Sequence, residues 1–297
     1  MTLSLNIALP SDFRLPDFIE FHSRDVSGIA ERTSANSLEK GILWSGLPAR
    51  IRLNFENHIV IAELSLDGAM PAQSESKFES LVFNMLGLNQ STSRFEANFE
   101  FHPHIGKLIA EQHGLRVPQS VSLFEALTWA ITGQQISLSA AISIRRKLIQ
   151  HVGIIHSSGI ACYPDATQIA LISEDDFRFL GFSKSKATTL VNISRMVTVG
   201  TLSLDEWNAN KPIEEITQTL LNIKGIGRWT VNYTLLRGLG WLDGSLHGDA
   251  AVRNKLSLLL NSHNEISEKE TSIWLEQFSP WRALVAAHLW AMKKPIL

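Results

Sequence analysis

The chain has 297 residues, of which 44% are hydrophobic and 19% charged, and its formal net charge at pH 7 is −2. This composition is typical of a globular protein of one large domain or two to three smaller ones. No apolar run of about 18 residues occurs, and residues 1–18 lack a basic start, so we expect neither a membrane span nor a secretory signal. A single cysteine, Cys162, excludes an internal disulfide and an iron–sulfur cluster ligated by this chain.

The first 110 residues carry β-strand signals. Residues 50–55 alternate polar and apolar side chains, residues 59–64 form a second apolar run, and residues 56–58 are a turn candidate. This pattern predicts an antiparallel hairpin. A following helix is predicted to bury one apolar face, formed by Phe78, Leu81, Val82, Met85 and Leu86. We therefore predict an N-terminal α/β domain with an antiparallel sheet over residues 1–110.

From about residue 120 the pattern is helical with short breaks. Ser122 and Glu125 have the spacing of a capping box at a helix start. Further helices are predicted at about 137–151, 174–180, 184–198, 212–223, 228–238, 249–260, 267–277 and 280–292. The predicted class is thus α+β, with a mostly α-helical domain over residues 111–297 after the small sheet domain.

Residues 221–230 carry the strongest functional signal. One helix is predicted to end, Gly225-Ile226-Gly227 to turn tightly, and a second helix to begin at Arg228. Two glycines without Cβ atoms let the backbone approach a phosphate, and the N–H groups at the helix start can donate to it. The pattern predicts a helix-hairpin-helix phosphate clamp.

The carbonyl groups of Leu221, Ile223 and Ile226 are candidate ligands for a monovalent cation that would neutralise the same phosphate. Gly-x-Gly also fits an ordinary helix C-cap followed by a connector, so the turn alone leaves both interpretations open.

Asp249 follows one helix length and a loop beyond the hairpin and is predicted to open another helix. Aspartate is a good N-cap, which is its ordinary structural interpretation. A catalytic carboxylate is the alternative interpretation.

Together these features resemble the helix-hairpin-helix DNA glycosylase superfamily, and within it the alkylpurine glycosylases of the DNA-3-methyladenine glycosylase II type. The matching stretches are 114–118, 131–137, 180–182 with 186–187, 225–233, 248–249, 280–282 and 288–290. Residues before 110 match the family's N-terminal sheet domain more loosely.

The resemblance implies that Asp249 stabilises the positive charge that develops on the deoxyribose as the N-glycosidic bond breaks, and orients or deprotonates water. Bifunctional members carry a lysine in the hairpin at the place of Trp229, where it forms a Schiff base. Lys224 lies on the other side of the turn. We therefore expect a monofunctional glycosylase without lyase activity.

The resemblance also implies a base pocket formed by Trp229, Tyr233 and Trp290, in which a flipped, electron-poor base would stack. Aromatic residues in a helical core are the alternative interpretation. Trp129 and Trp281 are predicted to be core residues.

Gln134 and Gln135 lie in a predicted helix-break-helix turn where family members insert a residue into the gap left by the flipped base. Gln135 is polar, unlike the apolar wedge of many members, and fits either a contact to the orphaned base or an ordinary loop glutamine. The full set of predicted DNA contacts is Gly225, Ile226, Gly227, Arg228, Thr230, Gln134, Gln135 and Lys186.

The leading hypothesis is hydrolysis of the N-glycosidic bond of alkylated purines in base excision repair, with no cofactor required for the chemistry. The expected partner is double-stranded DNA with damaged bases, and the expected protein is a cytoplasmic monomer without membrane contact, associated with the nucleoid if bacterial. The net charge of −2 argues mildly against a polyanionic partner, although a local basic surface suffices. Alternatives are a glycosylase for deaminated or oxidised bases and a non-catalytic helix-hairpin-helix DNA-binding protein.

Overall fold

The computed structural model describes residues 1–207, 211–262 and 264–292. Its N-terminal part contains a five-stranded antiparallel sheet with the strand order β1-β5-β4-β3-β2. The strands are Thr2–Ala8 (β1), Glu31–Ser34 (β2), Ser37–Trp44 (β3), Leu47–Glu56 (β4) and Ile59–Leu66 (β5). The hairpin expected at residues 50–64 is present as β4 and β5. Its two loop residues, Asn57 and His58, have φ of 46° and 63°, as a tight hairpin turn of this length requires.

Helices make up most of the remaining described chain. Those up to residue 111 are Leu15–His22 (α1), Ser74–Met85 (α2), Thr92–Phe99 (α3) and Gly106–Glu111 (α4). Those that follow are Leu123–Gly133 (α5), Leu138–Val152 (α6), Ala166–Ala170 (α7), Glu174–Leu180 (α8), Lys184–Thr198 (α9), Ile213–Leu221 (α10), Arg228–Leu239 (α11), Ala250–Leu259 (α12), Glu268–Glu276 (α13) and Arg282–Ala291 (α14). The predicted α+β class is confirmed. No helix within the described ranges is long and apolar enough to span a membrane.

The apolar residues form three main clusters. One lies between the sheet and α1 and α2, and a second is built largely from α5 and α7 to α11. In the third, Phe95 of α3 and Leu108 of α4 pack with residues of α12 to α14, among them Leu284. Helices α3 and α4 therefore share a core with the C-terminal helices although both begin before residue 110. The domain boundary at residue 110 stays a prediction.

A buried ion network joins the sheet to the helices. Lys40 on β3 contacts Glu31 of β2 and places its Nζ 2.8 Å from Oε1 of Glu125 on α5. Arg145 of α6 donates from Nη2 to the same Glu125 oxygen at 2.7 Å and lies 3.3 Å from Glu31. Burial alone would raise the pKa of Glu125, but the positive charges of Lys40 and Arg145 outweigh it and lower that pKa. The positive charges of Lys40 and Arg145 thus compensate the negative charges of Glu31 and Glu125 in a region largely shielded from solvent.

The predicted capping box at the start of α5 is only half formed. Ser122 accepts the N–H of Glu125 at 3.0 Å, as expected for the N-cap residue. The carboxylate of Glu125 does not return to the N–H of Ser122: its Oε1 binds Lys40 and Arg145, and its Oε2 accepts the N–H of Val121 at 3.3 Å. In place of the capping-box bond, Glu125 therefore makes two tertiary ion pairs and a hydrogen bond to the residue before the N-cap.

Candidate active site and DNA interface

The predicted hairpin lies between α10 and α11. Gly225 has a φ of +94°, in the region that favours glycine, and a Cβ there would lie 2.1 Å from Oγ1 of Thr189 on α9. The N–H of Ile226 donates to the carbonyl of Ile223 at 3.1 Å and closes the turn. Backbone conformation and packing therefore both require glycine at position 225.

Gly227 is the N-cap residue of α11 and has an ordinary φ of −105°. A Cβ at this position would meet no described atom within 4 Å. Within the described chain no side chain caps this helix, so the N–H groups of its first turn have no side-chain acceptor. Arg228, the next residue, is exposed. An uncapped helix N-terminus beside the guanidinium of Arg228 is suited to binding an anion.

Gln134 connects the turn after α5 to the hairpin. Its Nε2 donates to the carbonyl of Gly225 at 3.0 Å and to Oγ1 of Thr230 at 2.8 Å. Gln135, by contrast, is exposed and has a φ of +54°. The structure thus separates the two glutamines: Gln134 braces the hairpin, and Gln135 projects from the turn between α5 and α6.

Two of the predicted DNA contacts have polar side chains that are buried and hydrogen-bonded within the protein. The ammonium group of Lys186 donates to the carbonyl of Thr132 at 2.9 Å, and burial lowers its pKa. Thr230 is 2% exposed, and its hydroxyl accepts from Gln134. Neither side chain reaches the surface in this conformation, and the DNA contacts predicted for them stay predictions.

The carbonyl groups suggested for a cation lie around the same turn. That of Ile223 already accepts the N–H of Ile226, which leaves it one further lone pair for a ligand. No group of three or more His, Cys, Asp or Glu suited to a metal occurs among the described residues. The cation site formed by Leu221, Ile223 and Ile226 therefore stays a prediction.

Asp249 is the N-cap residue of α12 and also faces two indole rings. Its Oδ1 accepts the N–H of Val252 at 3.0 Å and lies 3.3 Å from the indole Nε1 of Trp290. Its Oδ2 accepts from Nε1 of Trp229 at 3.0 Å. The carboxylate is therefore held in a fixed orientation by three N–H donors, and its capping role does not compete with a role in the site.

The three aromatic residues of the predicted pocket lie together. Trp229 and Tyr233 stack with ring centroids 5.2 Å apart and an interplanar angle of 29°, and Trp290 is tilted against Tyr233 with centroids 6.1 Å apart. These spacings leave no room for a flat base between the rings. A base can therefore stack only on their outer faces.

Trp129, predicted to be a core residue, has a further contact in the site. Its Nε1 donates to the hydroxyl of Tyr233 at 3.0 Å. It packs against the same apolar cluster as Tyr233, with part of its surface accessible. Trp129 therefore fixes the orientation of Tyr233, a role that its place in the sequence did not indicate.

A cleft of about 790 Å³ opens beside Trp290. Its walls include Phe21 at the end of α1, Arg24 just beyond that helix, Leu138 at the start of α6, and Arg237 on α11. Sequence reasoning missed Phe21, Arg24 and Arg237, because no local pattern connects α1 to residues more than two hundred positions away. Only the folded chain brings these elements to one cleft.

Asp243 lies in the loop before Asp249 and is bound within the protein. Its carboxylate accepts from Nε and Nη2 of Arg282 at 2.8 and 2.9 Å, and from the hydroxyl of Ser279 at 3.0 Å. A bidentate arginine pair of this kind anchors the loop to the start of α14. Asp249 is thus the carboxylate of this loop region that faces the aromatic rings.

Residues 128–280 match the family model described as HhH-GPD superfamily base excision DNA repair protein. The match covers α6 to α13, the hairpin and Asp249. The chain belongs to this superfamily. Trp290 and Phe21, which line the cleft, lie outside the matched residues of this HhH-GPD protein.

Two sequence relatives and one solved structure resemble this HhH-GPD chain. DNA-3-methyladenine glycosylase of Bacillus subtilis (strain 168) is 22% identical, over 96% of this chain and 95% of that protein. DNA-3-methyladenine glycosylase 2 of Escherichia coli (strain K12) is 27% identical, over 63% of each chain. The structure of a 3-methyladenine DNA glycosylase from Archaeoglobus fulgidus superposes with a TM-score of 0.79, at 21% identity over 97% of each chain, and so shares the fold.

Proposed function

We propose that this protein is a monofunctional DNA glycosylase that hydrolyses the N-glycosidic bond of alkylated purines flipped out of duplex DNA. The observation that carries the proposal is the position of Asp249, whose carboxylate accepts from the indole N–H groups of Trp229 and Trp290. The named activities of the relatives in Bacillus subtilis and Escherichia coli support the substrate class.

The proposed mechanism places the deoxyribose beside Asp249 and the base on the outer faces of the aromatic rings. As the N-glycosidic bond breaks, positive charge develops on the sugar, and a fixed carboxylate stabilises it without reorganisation. The same carboxylate orients or deprotonates the attacking water. An alkylated purine leaves readily, so the proposal requires no separate general acid.

The proposed DNA contact is made by the hairpin. The uncapped first turn of α11 would bind a backbone phosphate, with Gly227 permitting close approach and Arg228 adding charge. Phosphate contacts position the protein on the duplex without reading sequence. The flipped nucleotide would then lie at the cleft beside Trp290.

Replacing Asp249 with asparagine tests the catalytic assignment. We expect release of methylated bases to fall by at least about 100-fold, because the charge that stabilises the sugar is removed. Duplex binding should persist, since the hairpin is unaltered. Chromatography of freed bases and a filter-binding assay measure the two properties.

The matched control is Asp243→Asn, which removes a carboxylate from the same loop region but breaks the pair with Arg282. It should lower the free energy of unfolding while retaining base release in the folded fraction. Undiminished release by the Asp249→Asn protein would refute the catalytic role and favour a non-catalytic DNA-binding protein.

The absence of lyase activity is a separate part of the proposal. Trp229 occupies the position next to Asp249 at which a Schiff-base lysine would be required, and its indole cannot form one. We expect no covalent protein–DNA complex after borohydride treatment of the enzyme with modified duplex. A trapped complex, located by peptide mapping, would contradict the proposed absence of lyase activity. It would not contradict the proposed release of bases.

A further inference from the structure

A buried lysine joins the start of α9 to the end of α5. Lys186 is 9% exposed, and its Nζ donates to the carbonyl of Thr132 at 2.9 Å. No carboxylate within the described ranges lies within ion-pair distance of this ammonium group, and burial is what lowers its pKa. An unpaired buried charge is costly. The carbonyl end of α5 offers it partial negative charge, but no full counter-charge.

Two contacts place this lysine beneath the hairpin between α10 and α11. Thr189, three residues further along α9, has its Oγ1 3.2 Å from the carbonyl oxygen of Lys224 and fills the space beside Gly225. Gln134, two residues after Thr132, donates to the carbonyl of Gly225 at 3.0 Å. The hairpin glycine is exposed whereas the lysine is buried. The ammonium group therefore lies on the inner side of the hairpin, away from the surface that would face DNA.

The three segments that meet at this place carry positive charge only. They are the turn at residues 132–137, the start of α9 at 183–189 and the hairpin at 222–230, and none contains an aspartate or a glutamate. Their charged residues are Lys184, Lys186, Lys224 and Arg228. Lys186 is the buried one of the four. The net charge of −2 thus conceals a local excess of positive charge around the uncapped start of α11.

We infer that Lys186 strengthens phosphate binding at the hairpin from inside the protein, without touching the DNA. Its charge acts through the protein interior, where Coulomb attraction is stronger and less screened by salt than at the surface. A bound phosphate supplies the counter-charge that the protein does not provide. The inference rests on the proposed function, because it requires the start of α11 to bind the DNA backbone.

This mode of action has a distinct salt dependence. A surface cation that contacts a phosphate releases condensed counterions from the DNA, so its loss lowers the slope of log K against log salt concentration by about one. A charge that acts through the interior makes no such contact, so its loss should lower the affinity and leave the slope nearly unchanged. Arg228 represents the first case and Lys186 the second.

The test measures the affinity of the full chain for one duplex by titration at several salt concentrations. Lys186→Gln removes the charge but retains a donor for the carbonyl of Thr132, whereas Lys186→Arg retains the charge. Arg228→Gln represents loss of a direct contact. Lys184→Gln, at an exposed position in the same helical turn, is the matched control. Thermal unfolding checks that each variant is folded.

Lys186→Gln should weaken duplex binding by roughly tenfold at every salt concentration, with a nearly unchanged slope. Lys186→Arg should bind within about threefold of the wild type. Arg228→Gln should lower the slope by about one, and Lys184→Gln should weaken binding by less than about threefold, because solvent screens its charge. Single-turnover base release at saturating protein should be equal in the wild type and Lys186→Gln, since Asp249 and the aromatic rings are unaltered.

Three outcomes overturn the inference alone. Unchanged affinity of folded Lys186→Gln leaves the lysine a structural role at the end of α5. A loss of affinity that Lys186→Arg shares means that geometry, and not charge, accounts for it. A slope lowered by about one in Lys186→Gln makes the lysine a direct phosphate contact.

The wild type separates the inference from the proposed function. Failure of the wild type to bind duplex overturns the proposed DNA contact and the inference with it. Binding of duplex without release of any base overturns the proposed catalysis and leaves the inference standing.

Discussion

At the scale of single residues, the two glycines of the hairpin have different physical reasons to be glycine. Gly225 has a positive φ and no space for a Cβ beside Thr189, whereas Gly227 has ordinary backbone angles and open space around its Cα. The protein itself therefore needs the first glycine. Only a bound phosphate would need the second.

Alanine substitutions should separate these two roles. Gly225→Ala should lower the free energy of unfolding by about 2 kcal/mol or more, from strain and steric overlap with Thr189. Gly227→Ala should leave the unfolding curve nearly unchanged and weaken duplex binding for all sequences alike, with a smaller salt dependence. Urea denaturation and binding titrations at several salt concentrations measure these effects.

Equal loss of stability in both alanine variants would contradict this separation. Unaltered affinity of Gly227→Ala for duplex would instead remove the phosphate contact from this position. Gly200→Ala, at a positive-φ position with open space, provides a strain-only comparison for Gly225.

At the scale of secondary-structure elements, α11 carries three residues of the candidate site and its cleft. Trp229, Tyr233 and Arg237 follow each other at intervals of four residues, so their side chains lie along one face. The resemblance to the glycosylase family predicted a pocket role for the first two. Arg237 could not, because a lysine or arginine near a helix C-terminus is usually solvated and only the approach of α1 and α14 encloses it.

The contact between sheet and helices rests on the buried network around Lys40. Lys40→Met should lower the free energy of unfolding by about 3 kcal/mol at neutral pH, because Glu31 and Glu125 then share one cation. The pKa of Glu125 is lowered in the folded state, so its stabilising effect is present above about pH 4.3 and is lost as the pH falls through the folded pKa. The difference between wild type and variant should therefore shrink in acid.

Denaturation by urea at a series of pH values measures that difference. Arg178→Met, which breaks an exposed pair with Asp175, is the control and should have little effect on stability at any pH. A difference for Lys40→Met that is constant from neutral pH to acid would mean that packing, and not charge, accounts for the loss.

At the scale of the whole molecule, the cleft is assembled from distant parts of the chain. Phe21 comes from the first helix and Trp290 from the last, and Arg237 lies beside both rings. The N-terminal sheet packs against α1 and so positions Phe21 in the wall of the cleft.

Phe21→Ala should reduce kcat/KM for base release by roughly tenfold, since a wall of the cleft is lost and the flipped base loses stacking. Phe101→Ala is the matched control, because Phe101 is 90% exposed and does not line the cleft. Single-turnover assays on modified duplex measure the rates, and thermal unfolding checks the fold. Equal rates for the two variants would exclude Phe21 from base binding.

The sequence by itself determined the α+β class, the β4–β5 hairpin, most helix positions and the hairpin between α10 and α11. These are local properties: periodicity, capping residues and glycine act over a few neighbours. Only the tertiary structure decided that Glu125 pairs with Lys40 and that Asp243 pairs with Arg282. It also decided that Lys186 and Thr230 are buried and that Arg237 is enclosed beside Phe21. Each of these depends on which distant element is close enough to offer a charge, a carbonyl or a ring, and that proximity exists only once the chain has folded.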